Sequence, residues 1–105
     1  MKKIVIFATF PSREEAEKAS SVLLDEKLIA CANIIGDVSS FFWWNAKIDS
    51  AHEVMMIAKT NESLFAEVEQ TLKKNHSYEV PEIIGLPICV GSQSYLDWID
   101  ESVKG

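Results

Sequence analysis

Seven consecutive residues, His76, Ser77, Tyr78, Glu79, Val80, Pro81 and Glu82, place an imidazole, a phenol and two carboxylates in one short stretch. An imidazole nitrogen with a carboxylate oxygen from Glu79 or Glu82 is an ordinary ligand set for a first-row divalent ion. The same stretch also reads as a helix C-terminus followed by a rigid turn, with His76 meeting the last helical carbonyls. Cys31 and Cys89 offer thiols, but both stand among apolar neighbours, where a thiol packs as a small hydrophobe. His52, beside Glu53, reads as a surface histidine. Met55 and Met56 cannot share one soft ion, because adjacent strand residues point to opposite faces. A glycine-rich phosphate loop, CxxC, HExxH and a serine elbow are all missing from the sequence. No catalytic residue is therefore assigned.

Phe41, Phe42, Trp43 and Trp44 form the second informative cluster. In a strand, alternation sends two of these rings to each face, and one face of a single sandwich cannot hide all four. A patch of that size marks an interface, and rings are its usual anchors. The competing reading is an intramolecular cluster with the last helix and Trp98.

Several elements must position these groups. Lys3 to Thr9 is an apolar run read as a central strand buried on both faces. Ser12 and Glu15 form a capping box, and the apolar positions Ala16, Ala19, Leu23 and Leu28 carry a helix to about Lys27. From Leu28 the chain is rich in β-branched and aromatic residues on either side of a bend at Gly36-Asp37, giving a long kinked strand. Asn45-Ala46-Lys47 turns it into a third strand, His52 to Thr60. Thr60 or Asn61 caps a second helix bearing Leu64, Phe65, Val68 and Leu72, with Lys73, Lys74 and His76 near its C-terminal end. Val80 is extended before Pro81. Ile83 to Val90 reads as an irregular or edge strand because Pro87 lacks an amide donor. Ser92 caps a last helix with Tyr95, Leu96, Trp98 and Ile99. The order β-α-β-β-α-β predicts an α+β, ferredoxin-like sandwich with an antiparallel sheet, a long hairpin from the second and third strands, and a C-terminal helix. Residues 1–105 read as one domain.

Composition excludes several classes. With 48% hydrophobic and 25% charged residues among 105, the chain is globular and large enough for a core. A net charge of −6 has the wrong sign for gripping nucleic acid or an anionic membrane. Two isolated cysteines suggest a reducing compartment, and Pro11, Arg13, Glu14 and Glu15 follow the short apolar start where a signal peptide would place small residues. A cytoplasmic location is expected.

The segments LIACANII, FFWWNAKI, EVMMIAKT and NHSYEVPEIIGLPICVGSQSYLDWI resemble, in order and spacing, the CutA family of divalent-cation tolerance proteins. The resemblance covers nearly the whole chain and implies a ferredoxin-like protomer in a cytosolic homotrimer built through long hairpins, similar in architecture to PII signalling proteins. It implies no enzyme and no organic cofactor, but a role in tolerance to copper and other divalent ions. The positions that resemble the family's copper ligands are Ala8, Asn75 and His76, so one of three is kept. Inter-subunit clefts lined by Tyr78, Glu79, Glu82 and His76 are the expected binding sites, with Phe41, Phe42, Trp43 and Trp44 at the subunit interface. A PII-like sensor of a small ligand is the alternative, and an enzyme using Cys31 or His76 comes third.

Overall fold

Lys3–Phe10 forms strand β1, and its alternation decides the layering. Ile4, Ile6, Ala8 and Phe10 are buried, whereas Val5 and Phe7 on the other face are only partly covered. The expectation of a strand buried on both faces therefore holds for one face of the chain alone. A computed structural model describes residues 2–105. Its further elements are α1 (Arg13–Asp25), β2 (Cys31–Trp44), β3 (Lys47–Asn61), a 3-10 turn (Glu62–Leu64), α2 (Phe65–Lys74), β4 (Ile83–Pro87) and α3 (Gln93–Ser102). The sheet runs in the order β2-β3-β1-β4 with every neighbouring pair antiparallel. Helices α1 and α2 cover the Ile4 face, where Leu23, Val68 and Leu72 complete a core with Met56 and Ala58.

Caps show where local signals were diverted. Ser12 Oγ accepts the Glu15 N–H at 3.2 Å, but the Glu15 carboxylate leaves the capping box to accept from Ser77. Helix α1 stops at Asp25, two residues before the expected end, because Lys27 turns left-handed at φ 56°. Leu28 N–H then donates to Leu23 O, and Lys27 N–H to Leu24 O, the paired bonds of a Schellman end. Neither Thr60 nor Asn61 caps the next helix with its side chain. Thr60 donates to Leu28 O at 2.6 Å, and Asn61 donates to Asp100 at 2.8 Å. Ser92 meets the Ser94 hydroxyl at 3.0 Å instead of a helix amide. Hydrogen bonds from Asn61 and Lys3 hold the Asp100 carboxyl below its usual range, tying α3 to β3 and β1.

Strand β4 is an edge strand, as Pro87 required, but it ends at Pro87 and leaves Cys89 exposed instead of packed. The β2–β3 pair is longer than the rest of the sheet: pairing with β1 ends at Phe10 and Val54, while β2 and β3 pair on to Trp44 and Lys47. A bulge between Ile35 and Val38, with Asp37 at φ 58°, bends this overhang. A Cβ at Gly36, within the bend, would lie 2.9 Å from the Arg13 guanidinium, the far end of a flexible side chain that can swing aside.

The hairpin closes on two residues, Asn45 and Ala46, both with positive φ (51° and 61°), which is the type I′ pattern matched to strand twist. Alanine is strained in that region by about 1 kcal/mol relative to glycine. Ala46→Gly is expected to stabilise the protein by about that amount and to raise the thermal midpoint by a few degrees, measured at fixed protein concentration. An unchanged or lower midpoint would show that the turn is not limiting.

Candidate functional site

The bulge decides which rings meet which carboxylates. Before it, the odd-numbered residues of β2 share a face with Met55 and Ile57; after it, Val38, Ser40, Phe42 and Trp44 do, opposite Glu53, Ala51, Asp49 and Lys47. A one-residue shift in a strand swaps its two faces. Phe42 and Trp44 consequently lie on the Glu53 side and are 38% and 48% exposed, whereas Phe41 and Trp43 on the other face are 75% and 72% exposed. The expectation of two rings to each face is met. The competing cluster with Trp98 does not form: Trp98 meets Tyr95 within its own helix, the rings tilted with centroids 5.4 Å apart.

The segment after α2 wraps round the end of β1 and is fastened there by His76. Its imidazole stacks on Phe10 with ring centroids 4.5 Å apart and is fully enclosed. Nε2 lies 2.6 Å from Thr9 O, and Nδ1 accepts the Tyr78 N–H at 3.1 Å. The carbonyl can only accept, so Nε2 carries the proton and Nδ1 offers its lone pair to the chain. Glu15 Oε2 accepts from Ser77 N–H at 3.0 Å and Ser77 O–H at 3.2 Å, and lies 3.5 Å from His76 Nδ1. His76 was expected as a metal ligand; in this arrangement neither nitrogen has a free lone pair, and the ring serves to anchor the loop. It meets a β1 carbonyl, not the end of its own helix. Ala8 is buried and has no donor atom, and Asn75 donates its amide to Thr71 O at 2.9 Å. The three positions that correspond to copper ligands do not fit a copper ion.

Anchored in this way, the loop delivers Tyr78 across the strand end to Glu53, whose carboxylate accepts the phenol at 2.7 Å. Glu53 is only 8% exposed, and no Lys, Arg or His pairs with it among the described residues. Burial, the hydrogen bond to Glu53 and the negative charges of Glu53 and Glu15 push the Tyr78 phenol up to about 12. Between this loop and the hairpin overhang lies a cleft of about 870 Å³. It joins Phe41 to Trp44 with Tyr78, Glu79 and Glu82, so the two clusters picked out in the sequence form a single site, with His76 behind its wall. The sequence reading missed Glu53 and Asp49, the carboxylates that β3 adds to the lining. The signal for Glu53 was its strand register opposite Val38, visible only once the bulge was placed. Cys31 lies elsewhere, its sulfur 3.5 Å from the Tyr95 hydroxyl, and no group of three His, Cys, Asp or Glu suited to a metal occurs among the described residues.

The sequence matches the profile of CutA1 divalent ion tolerance proteins over residues 4–102. The chain belongs to the CutA1 family. A divalent-cation tolerance protein CutA from Archaeoglobus fulgidus is 50% identical over 94% of this chain and 96% of its own. The chloroplastic Protein CutA 1 of Oryza sativa is 39% identical over 96% of this chain, which spans 57% of that relative's length. The crystal structure of CutA1 from Oryza sativa superposes with a TM-score of 0.96 at 38% identity, covering 99% of this chain and 95% of that one. The α+β fold with a four-stranded antiparallel sheet is thus the family's fold.

The Tyr78–Glu53 bond makes a testable contribution to stability. Tyr78→Phe leaves a buried carboxylate without its donor and is expected to cost about 1–3 kcal/mol at neutral pH, read from urea midpoints. Because the phenol's pKa is raised on folding, the folded state holds its proton longer than the unfolded chain. Stability from this group is present below pH 10 and is lost as the pH climbs toward 12. Tyr95 is also raised to about 12, through its hydrogen bond with Cys31, so the variant should lose only part of the alkaline decline. A variant with wild-type stability and an unaltered alkaline slope would remove the bond from the account.

Proposed function

We propose that this CutA1-family chain acts as a ferredoxin-like protomer of a cytoplasmic homotrimer that serves divalent-cation tolerance by binding and not by catalysis. The observation that carries this reading is the cleft, in which an overhanging aromatic hairpin and an acidic loop meet. Supporting it, the sheet face opposite α1 and α2 is apolar and poorly covered: Ile35, Ile84 and Leu86 are 50%, 49% and 42% exposed. The chain exposes 6539 Å², against roughly 5,900 Å² for a compact monomer of its mass. Its radius of gyration is 14.2 Å where about 13 Å is usual for this length. Excess apolar surface on an elongated chain is what a closed ring of copies would cover. Phe41 and Trp43, on the hairpin face turned away from Glu53, are the ring-to-ring anchors of that assembly.

Within the assembly, Tyr78, Glu79 and Glu82 line the binding cleft, and a divalent ion such as copper draws its remaining ligands from a neighbouring copy or from water. The cleft carries no basic side chain among the described residues, which counts against a phosphate-bearing ligand and so against a nucleotide sensor of the PII kind. Two unpaired cysteines support a reducing compartment.

Light scattering is expected to give three times the 11.8 kDa chain mass; a folded species of single-chain mass would sink the assembly. Calorimetric titration of metal-free protein with Cu²⁺ and Zn²⁺ is expected to show binding that Glu79→Gln with Glu82→Gln weakens at least tenfold. His76→Ala should destabilise the fold by about 2–4 kcal/mol through its buried stack and two hydrogen bonds. Ion binding that survives loss of both carboxylates would move the ion site out of this cleft.

A further inference from the structure

The cleft's walls match an organic cation better than a bare metal ion. Phe42, Trp44 and Tyr78 contribute rings, and Glu53, Glu79 and Glu82 contribute carboxylates, while no basic side chain lines the space among the described residues. No three of its acidic groups converge as a metal site requires. Glu53 is a buried carboxyl group that accepts the Tyr78 phenol, and no Lys, Arg or His pairs with it among the described residues. Burial first, then the hydrogen bond to Glu53 and the charges of Glu53 and Glu15, raise the Tyr78 phenol. Dispersed negative charge among aromatic faces attracts a large, weakly hydrated cation, through the ring quadrupoles and at long range together. A compact divalent ion instead needs several oxygens at one point. The roughly 870 Å³ of space is ample for such a molecule.

We propose that the cleft between the hairpin overhang and the 76–82 loop binds a small organic cation bearing an alkylated ammonium group, held against Trp44, Phe42 and Tyr78 and balanced by Glu53, Glu79 and Glu82. This rests on the cleft being the ligand site, as read above. The test uses the assembled full chain in excess chelator, titrated with tetramethylammonium and, as a neutral counterpart of similar bulk, tert-butanol, by calorimetry and tryptophan emission. Tetramethylammonium is expected to bind saturably and to shift the emission, whereas tert-butanol does neither. Trp44→Leu, and separately Glu79→Gln with Glu82→Gln, should each weaken binding about tenfold, and the carboxylate variant should leave the assembly mass unchanged. Should Trp44→Leu fail to fold, the carboxylate variant decides. Equal binding of the neutral compound, no binding of the cation, or undiminished binding in the carboxylate variant overturns the proposal. Metal binding without tetramethylammonium binding overturns this inference and leaves the divalent-ion reading standing; absence of both overturns both.

Discussion

The mismatch in strand length governs this molecule. β2 and β3 run for 14 and 15 residues, while β1 and β4 supply only 8 and 5. Beyond the Phe10–Val54 pair, no third strand pairs with the hairpin among the described residues. A two-stranded ribbon is marginal in water without a further layer. Placing four aromatic residues on that ribbon makes sense only where something covers them. One face is met by the loop from 76 to 82. The site is therefore a consequence of the overhang, because without it the loop would have nothing to close against.

The loop's contribution depends on a buried imidazole doing structural work. Stacked on Phe10 and bonded to Thr9 O and Tyr78 N–H, His76 fixes where the chain crosses the end of β1. Glu15, freed from its capping role, holds Ser77 from the other side. Two elements distant in sequence thus set the position of one tyrosine, and that tyrosine neutralises none of the charge on Glu53. It donates a hydrogen bond but leaves the negative charge in place.

Much of this was legible in the residues. Apolar alternation and the Ser12 cap indicated the order of strands and helices, and the rings and the His76–Glu82 stretch were both singled out as chemistry-bearing. What could not be read was their meeting, because it depends on the single extra residue at the Ile35–Val38 bulge and on a loop route set by tertiary contacts. The cap residues failed for a related reason. Ser92, Thr60 and Asn61 carry ordinary capping side chains, but neighbouring partners in the fold compete for them, and a local signal carries no information about such partners. His76 was read as a ligand because imidazole beside carboxylates looks the same in sequence whether its lone pairs are free or spent. Ala46 at a left-handed position shows the converse, since a residue poorly suited to the turn is tolerated where flanking strand pairing enforces the geometry.

The chemistry of the cleft bears on what tolerance to ions could mean for this chain. A protein that buffers a metal by chelation needs convergent donors, preorganised to pay the cost of stripping water from the ion. Here the acidic groups are spread among rings, the enclosed imidazole is committed to the backbone, and Cys31 faces Tyr95 at a distance from the cleft. Such a surface discriminates by hydration and shape: it favours cations that shed water easily and present apolar bulk to the rings. Divalent ions would then engage only where a second copy brings more oxygens to Glu79 and Glu82, so that affinity for metal and assembly become linked quantities. In that arrangement a metal ion reports on the closed ring of subunits, whereas an organic cation reports on the cleft of each one.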